Sequence, residues 1–430
     1  MRQAKKAGAS SSELNITTGS GYVVSVRMGE VENINQYCGK SLDVTVYFGK
    51  KSGTASTSDF NKKAIQLTIE KACYIARFTN KDPYSGLAEP ALMAYDYPDL
   101  GLYHPWSLTI PQAITLAKKY EAAGLNYDRK ITNSEGAAIS NRESFGIYAN
   151  SHGFLGCCPT TLHSIACSFI AKQKSQMQRD SDYTIARSHE LLTPWKTLGQ
   201  NAAKLSLRRL GARTIPTGDY PVIFEASIAK SLISHLLGAA SGGHLYNKTS
   251  FLCNKLGKQV LAKHLSIDEQ PLLPGYLGSA AFDNEGVKTK AQSIVEDGIL
   301  TRYILGSYSA RKLKMKTTGN AGGCYNIFLN TKNKKMDFNE LLQEMNTGVI
   351  VIELLGQGVN ITTGDYSRGA FGFWVENGKI KYPIERFTIS GNLKDMLKSV
   401  VAMSYDIDTR DTIFSGSLLI PKMHIGGIDK

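Results

Sequence analysis

No apolar run of about eighteen residues occurs in this sequence, the length that a membrane-spanning helix requires. The opening residues, Met1-Arg2-Gln3-Ala4-Lys5-Lys6, lack the apolar stretch of a signal peptide. Neither membrane insertion nor export is therefore implied, and the cytoplasm is the default location. Cysteine is scarce and badly spaced for structure: the seven cysteines are scattered, odd in number, and contain no Cys-x-x-Cys. A disulfide framework does not fit that pattern. The adjacent pair Cys157-Cys158 reads as a glycine-flanked turn, and a zinc knuckle there would need a second pair that the chain does not offer. Free thiols in a reducing compartment are the expectation. Catalytic signatures are missing too, since there is no Gly-x-Ser-x-Gly elbow and the glycine clusters carry neither a P-loop lysine nor the dinucleotide fingerprint.

What is present is a chain of 430 residues with 42% hydrophobic and 20% charged residues, enough for two or three domains with their own cores. The formal charge of +13 raises the question of a polyanion partner. However, the basic residues are dispersed. The densest runs, Arg311 to Lys316 and Lys332 to Lys335, are short and lack a nucleic-acid motif, so they read as solvated faces and nucleic acid is an unlikely partner.

Period-two alternation predicts strands over Gly21 to Met28 and Ser41 to Phe48, with another extended run between them. Ser56-Thr57-Ser58-Asp59 forms an N-cap cluster for a helix over Phe60 to Phe78, with Ala64, Leu67, Ile69, Ala72, Ile75 and Ala76 on its apolar side. Proline punctuates an irregular passage from Pro83 to Trp106, and a second amphipathic helix runs to about Gly124. Extended runs follow at Ile131 to Ile139, Phe145 to Ala149 and Leu162 to Ile170, then a polar passage from Lys172 to Arg187 and a long helix from about Pro194 to Leu210. Gly211, Pro216 and Gly218 mark a domain boundary. Beyond it, short turn-bounded strands recur, with hairpin turns at Glu296-Asp297-Gly298 and Glu376-Asn377-Gly378. The fold class expected is α+β: an N-terminal α/β domain over residues 1 to 212 and a C-terminal antiparallel β barrel or sandwich with few helices over 213 to 430.

The apolar run Tyr220 to Phe224 followed by Ser231 to Ser241 predicts a strand feeding a buried helix, a place where enzymes often put catalytic groups. A zinc peptidase helix carries two histidines on one face and a glutamate between them. Here only His235 is available, and one imidazole cannot hold a metal. Other pairings are thin: His152 with His163 across a hairpin, Glu353 with Asp365 as acid and base, or Glu353 with His152. The glycine clusters Thr317 to Cys324, Leu355 to Asn360 and Thr363 to Gly369 let another backbone approach closely. Gly319, Asn320, Gly322, Gly323, Gln357, Gly358, Asn360 and Asp365 are the candidate contacts for a peptide or partner strand. Tight turns between barrel strands account for them equally well.

Several stretches taken together resemble the TldD/PmbA family, specifically its PmbA (TldE) branch. They include Leu102-Tyr103-His104-Pro105-Trp106, Asn133-Ser134-Glu135-Gly136, Asn150-Ser151-His152-Gly153-Phe154, Met177-Gln178-Arg179-Asp180, Ser309-Ala310-Arg311-Lys312-Leu313, Thr317 to Gly323, Gly364 to Gly369 and Gly372 to Gly378. The resemblance runs from about Gly21 to the end, and implies an opening helix truncated in this chain. It implies a heterodimeric metallopeptidase in which the TldD paralogue holds zinc through His-Glu-x-x-x-His and a distant cysteine. Short or unfolded peptides are the implied substrates, with peptide-antibiotic maturation and antitoxin removal as roles. Two histidines five apart turn through about 500° on a regular helix, so a local distortion is expected in such a motif. Aligned on the glycine, the three motif positions fall on Ser234, His235 and Ala239, and the region around Val401 to Asp411 lacks the cysteine. Catalytic residues and bound metal are therefore expected to be none in this chain, with zinc in the TldD-like partner. An alternative implied by the older gyrase-modulator naming is a homodimeric peptide- or protein-binding regulator.

Overall fold

A computed structural model describes residues 1–334 and 336–427; Lys335, the last residue of the second basic run, lies outside the described residues. After a short helix α1 (Arg2–Lys6), a six-stranded antiparallel sheet dominates the first half. It is built from β1 (Ser11–Arg27), β2 (Glu30–Phe48), β3 (Lys51–Thr57), β4 (Ile131–Asn150), β5 (Leu155–Gln173) and β6 (Gln176–Ala186), in the order β3-β2-β1-β4-β5-β6. The β1–β2 hairpin turns on Met28 and Gly29, both at positive φ, as a two-residue turn matched to strand twist requires.

Several extended runs expected separately are single long strands. The second run and Ser41 to Phe48 are both β2, and the runs from Ile131 and from Phe145 are both β4. The polar passage 172 to 187 is largely edge strand β6, and Cys157-Cys158 lie within β5 rather than in a turn. Helix α2 (Lys62–Phe78) starts two residues later than expected, because Asn61 rather than Asp59 accepts from the backbone N–H of Ala64. Its core face holds Ile69, Ala72, Cys73 and Ala76, while Leu67 and Ile75 are exposed. Helices α3 (Ile110–Leu125) and α4 (Trp195–Arg208) cover Ile139, Ile165 and Phe169 on one face of the sheet.

The second half starts with β7 (Gly218–Phe224), α5 (Ala226–Ala239) and α6 (Gly242–Tyr246). Two hairpin-rich sheets follow. One runs β10-β9-β8-β11-β16, from β8 (Leu265–Glu269), β9 (Gln292–Glu296), β10 (Ile299–Leu300), β11 (Ile327–Thr331) and β16 (Ile413–Phe414), with α7 (Ser307–Lys312) in its connection. After α8 (Phe338–Met345), the other comprises β12 (Gly348–Leu355), β13 (Asp365–Glu376), β14 (Lys379–Asn392) and β17 (Leu418–Gly426) with β7; helix α9 (Leu393–Lys398) and β15 (Ala402–Met403) flank it. Because β14 also pairs with β17, β7-β12-β13-β14-β17 closes into a five-stranded barrel. Four of its seams are antiparallel; β7–β12 is parallel. Asp297-Gly298 and Asn377-Gly378 all take positive φ, as their hairpins demand. The α+β class and the barrel agree with the sequence expectation. Among the described residues no helix is long and apolar enough to cross a membrane.

Candidate functional site

Helix α5 leaves the barrel strand β7 and buries Leu232, Ile233 and Leu236 against Val222, Phe224 and Leu418. Burying each such side chain is worth about 1.5–3 kcal/mol, so the helix is fixed by its apolar stripe. Its N-terminus is tied down by polar groups as well. The Ala226 N–H donates to Ser417 Oγ (2.9 Å), and the Ser417 hydroxyl donates to Asp406 Oδ2 (2.7 Å).

The three motif positions lie on this helix with no shared chemistry. Ser234 is exposed, His235 is half-buried, and the Ala239 methyl is buried. The His235 ring meets Tyr366 edge-on at 6.4 Å, and its Nε2 is buried without a hydrogen-bond partner. Burial, reinforced by the Arg368 cation, lowers its pKa below the ordinary histidine value. A neutral ring flanked by a hydroxyl and a methyl does not fit zinc, which needs three or four converging N, S or O donors. Among the described residues no three His, Cys, Asp or Glu side chains converge on one point.

The loop after β15 does reach α5, but through ion pairs. Lys230, one turn before Ser234, is 2.9 Å from Asp411 Oδ2 and 3.7 Å from Asp408 Oδ2. Arg410 bonds Asp408 (2.8 Å) and Asp182 of β6 (2.6 Å), so the same loop also fastens the two halves together.

The glycine segments are more structural than open. Asn320 is buried, with Nδ2 donating to Glu269 (2.8 Å) and to the Gly323 carbonyl (3.0 Å), and Oδ1 accepting from Arg302 (3.0 Å). Glu269 also pairs with Arg302 and accepts from the Tyr325 N–H (3.0 Å). Gly319, Gly322 and Gly323 are at positive φ, and a Cβ on Gly322 would strike the Asn284 side chain. Asn320, Gly322 and Gly323 line a cavity of about 380 Å³ with Gly242, Glu285 and Tyr308. The other segment lies apart, beside the C-terminal end of α5: Ile361 faces Gly238, and the Phe251 N–H donates to the Ile361 carbonyl (2.9 Å). Gln357 and Gly358 are exposed, Asn360 Oδ1 caps the Thr362 N–H, and Asp365 accepts from Thr363 and Asn392.

The remaining pairings are not formed. Glu353 pairs with Arg209 and stands opposite Phe371 in the β12–β13 register, six residues along the strand from Asp365 and so roughly 20 Å away. His152 sits in the β4–β5 turn, whereas His163 is buried opposite Asn141, with Nε2 bonded to the His104 carbonyl (2.9 Å). Sequence reasoning missed a cavity of about 700 Å³ between β4, β5 and residues 279–284. Leu100, Tyr103, Ile147, Pro159 and Phe282 form its largely apolar wall. Asp283 beside it has its carboxyl pushed up to about 6 by burial, against three backbone N–H donors. The β4 part of the cavity's lining falls in an expected strand, but residues 156–160 of β5 lie where a turn is expected, and no spacing signals that this face meets residues 279–284.

Three family models match successive parts of the chain: PmbA/TldA metallopeptidase domain 1 over residues 12–76, the central domain over 103–210, and the C-terminal domain over 217–427. The chain is 44% identical to "Metalloprotease PmbA" of Escherichia coli O157:H7 over 415 residues, covering 96% of this chain and 92% of that one. It is 45% identical over 424 residues to the PmbA homolog of Haemophilus influenzae, covering 99% and 94%. Among solved structures, a Bacteroides thetaiotaomicron protein whose name links it to modulation of DNA gyrase superposes with TM-score 0.92 at 26% identity, covering 100% of this chain and 97% of that one. TldE from Thermococcus kodakarensis shares the fold, with TM-score 0.87 at 20% identity and coverage of 99% and 98%.

Proposed function

This chain belongs to the PmbA/TldD metallopeptidase family, and from that membership we propose that it is the non-catalytic subunit of a zinc peptidase heterodimer whose TldD-like paralogue carries the metal. In this reading the β-rich half and its glycine loops form one wall of a cavity that admits short or unfolded peptides, held by strand addition. The observation that carries it is the state of α5, where Ser234, His235 and Ala239 offer an exposed hydroxyl, a half-buried neutral ring and a buried methyl. Activation of water for peptide hydrolysis needs a metal or a general base in reach; this helix carries no set of metal donors, and the Nε2 of its one imidazole is buried. What the chain supplies is shape: Gly323 lines the 380 Å³ cavity with open space where a Cβ would stand, leaving room for another backbone.

The test is metal analysis and peptide cleavage by the purified chain, alone and after co-expression with a paralogue that keeps His-Glu-x-x-x-His. The proposal expects no stoichiometric zinc and no cleavage alone, and a stable, zinc-loaded, active complex with the paralogue. Stoichiometric zinc with activity in the isolated chain would refute it. A chain that self-associates and never binds the paralogue would favour a homodimeric binding regulator instead.

A further inference from the structure

Three neighbouring strands bring two arginines together. Arg142 on β4 stands opposite Leu162 on β5, Ser144 stands opposite Thr160, and Arg187 follows directly on β6, whose Ala186 pairs with His163. Arg142, Ser144, Thr160, Thr161, Leu162 and Arg187 enclose a pocket of about 220 Å³. Arg187 is held in place by carbonyls: Nη1 donates to Thr161 O (3.0 Å) and Nη2 to Leu277 O (2.6 Å). Its Nε is buried and has no acceptor. Among the described residues, neither guanidinium pairs with a carboxylate, although Arg27, Arg179, Arg208, Arg209, Arg302 and Arg410 all do. The adjacent carboxylate, Glu143, belongs to the neighbouring residue of the strand and is engaged by the Tyr103 hydroxyl (2.9 Å).

This arrangement is electrostatically incomplete. Burying a cation costs free energy unless an anion compensates it, and a second cation nearby adds to that cost. Both effects register on Arg187, whose pKa is lowered by burial first and by the Arg142 charge second. The two guanidiniums, with the Thr160 hydroxyl beside them, supply the donors that an oxyanion accepts, in the planar geometry suited to a carboxylate or phosphate; the Ser144 hydroxyl already donates to the Thr18 carbonyl (3.3 Å).

We propose that Arg142 and Arg187 form an oxyanion-binding site, filled by the C-terminal carboxylate of a bound peptide. The site itself rests on the two arginines; only the source of the anion rests on the peptide-binding reading above. The source is argued from position. Thr160 lines both this pocket and the apolar 700 Å³ cavity, and Ser144 and Gly146 sit two residues apart on the same face of β4, roughly 7 Å. One peptide residue spans about half that distance, so a chain whose terminal carboxylate meets the arginines places an apolar side chain against Ile147, Pro159 and Phe282.

The experiment is calorimetric titration of the full chain with inorganic phosphate, and with the tripeptide Ala-Ala-Phe as free acid and as C-terminal amide. Wild type is compared with Arg142→Gln, with Arg187→Lys, and with Lys119→Gln, which removes an equal charge from the exposed side of α3. Phosphate is expected to bind wild type and Lys119→Gln and to weaken at least about tenfold in Arg142→Gln, as loss of a charge-assisted bond predicts. The free acid is expected to bind at least about tenfold more tightly than the amide and to compete with phosphate. Because Arg187 also holds two carbonyls, its lysine variant tests whether a point charge replaces the fork, and weaker phosphate binding is expected. Phosphate binding that is absent, or unchanged in Arg142→Gln, overturns the site. Arginine-dependent phosphate binding with acid and amide bound equally overturns the peptide terminus as the source. If phosphate binds but no tripeptide does, the site stands and the peptide-binding reading fails.

Discussion

Replacing Glu269 with Gln is the sharpest test of what holds the Thr317 to Tyr325 loop. The Glu269 side chain is 1% exposed and its partner Arg302 is 12% exposed. Its carboxylate accepts from Arg302, Asn320 Nδ2 and the Tyr325 N–H, while Arg302 also bonds Asn320 Oδ1. The glutamine keeps one oxygen for Asn320 and Tyr325, but turns an amide N–H towards the guanidinium. A charge-assisted bond worth about 1.5–3 kcal/mol is lost. A buried cation is also left without its counter-charge, and breaking such a pair costs about 3–5 kcal/mol in total. Because β8, β11 and the loop share this network, the loss should first be felt as local opening rather than global unfolding. Amide hydrogen exchange of residues 317–325 should accelerate by about two orders of magnitude or more, since each 1.4 kcal/mol is a factor of ten. Exchange in α3 and α4, on the far sheet, should stay unchanged. Replacing both partners, Glu269→Leu with Arg302→Met, should recover much of the loss, because no charge is then buried alone. Unchanged loop exchange in Glu269→Gln, or a double variant as open as the single one, would refute the network as the loop's anchor.

Other predictions follow from equally local geometry. Arg311 grips residues 84–87 through three carbonyls, Tyr84 O (2.6 Å), Gly86 O (2.7 Å) and Leu87 O (3.2 Å), so Arg311→Ala should cost roughly 2–4 kcal/mol and expose residues 82–92 to limited proteolysis. A Cβ on Gly358 would lie 1.8 Å from the Ser367 carbonyl, so Gly358→Ala should break the Ser367 N–H bond to Gly358 O and speed exchange across 356–367, by about 1–3 kcal/mol of local opening. His163 is buried with Nδ1 unpartnered, and its pKa is lowered by burial and by the neighbouring His189. Its neutral form is favoured in the fold, so its contribution to stability is present above the ordinary histidine value near pH 6.5 and lost as pH falls below it. His163→Gln should therefore flatten the fall in melting temperature between pH 7.5 and 5.5; an unchanged slope would show that the ring does not titrate with unfolding.

Local rules reached some elements and missed others for identifiable reasons. Asp297-Gly298 and Asn377-Gly378 announce their hairpins because aspartate, asparagine and glycine tolerate the positive φ that such turns need. The apolar stripe Leu232, Ile233, Leu236 announces α5 because its period is internal to the helix. Strand β6 was hidden since it is an edge strand, with only Thr184 and Ala186 fully buried and a run of polar residues before them. Strand β2 was split because residues 30–40 are exposed on both faces, so no alternation marks them; its ladder with β1 keeps it continuous.

The same distinction separates the two candidate sites. The lack of a zinc motif on α5 is legible in one dimension, because such a motif is a statement about residue identities at fixed spacing, and Ser234, His235 and Ala239 do not supply it wherever the helix lies. The arginine pocket is the opposite case. Arg142 and Arg187 are unremarkable members of a chain with 50 basic and 37 acidic residues until register sets Arg142 against Leu162 and Ala186 against His163. Charge excess alone cannot reveal such a site, since most of the excess is dispersed and hydrated. What distinguishes these two cations is that folding buries part of one, places it beside the other and gives neither a carboxylate, while six other arginines are paired. A fold that could satisfy those six at the protein's own expense, yet leaves this pair open beside an apolar cavity, retains the desolvation cost for an anion that arrives from outside.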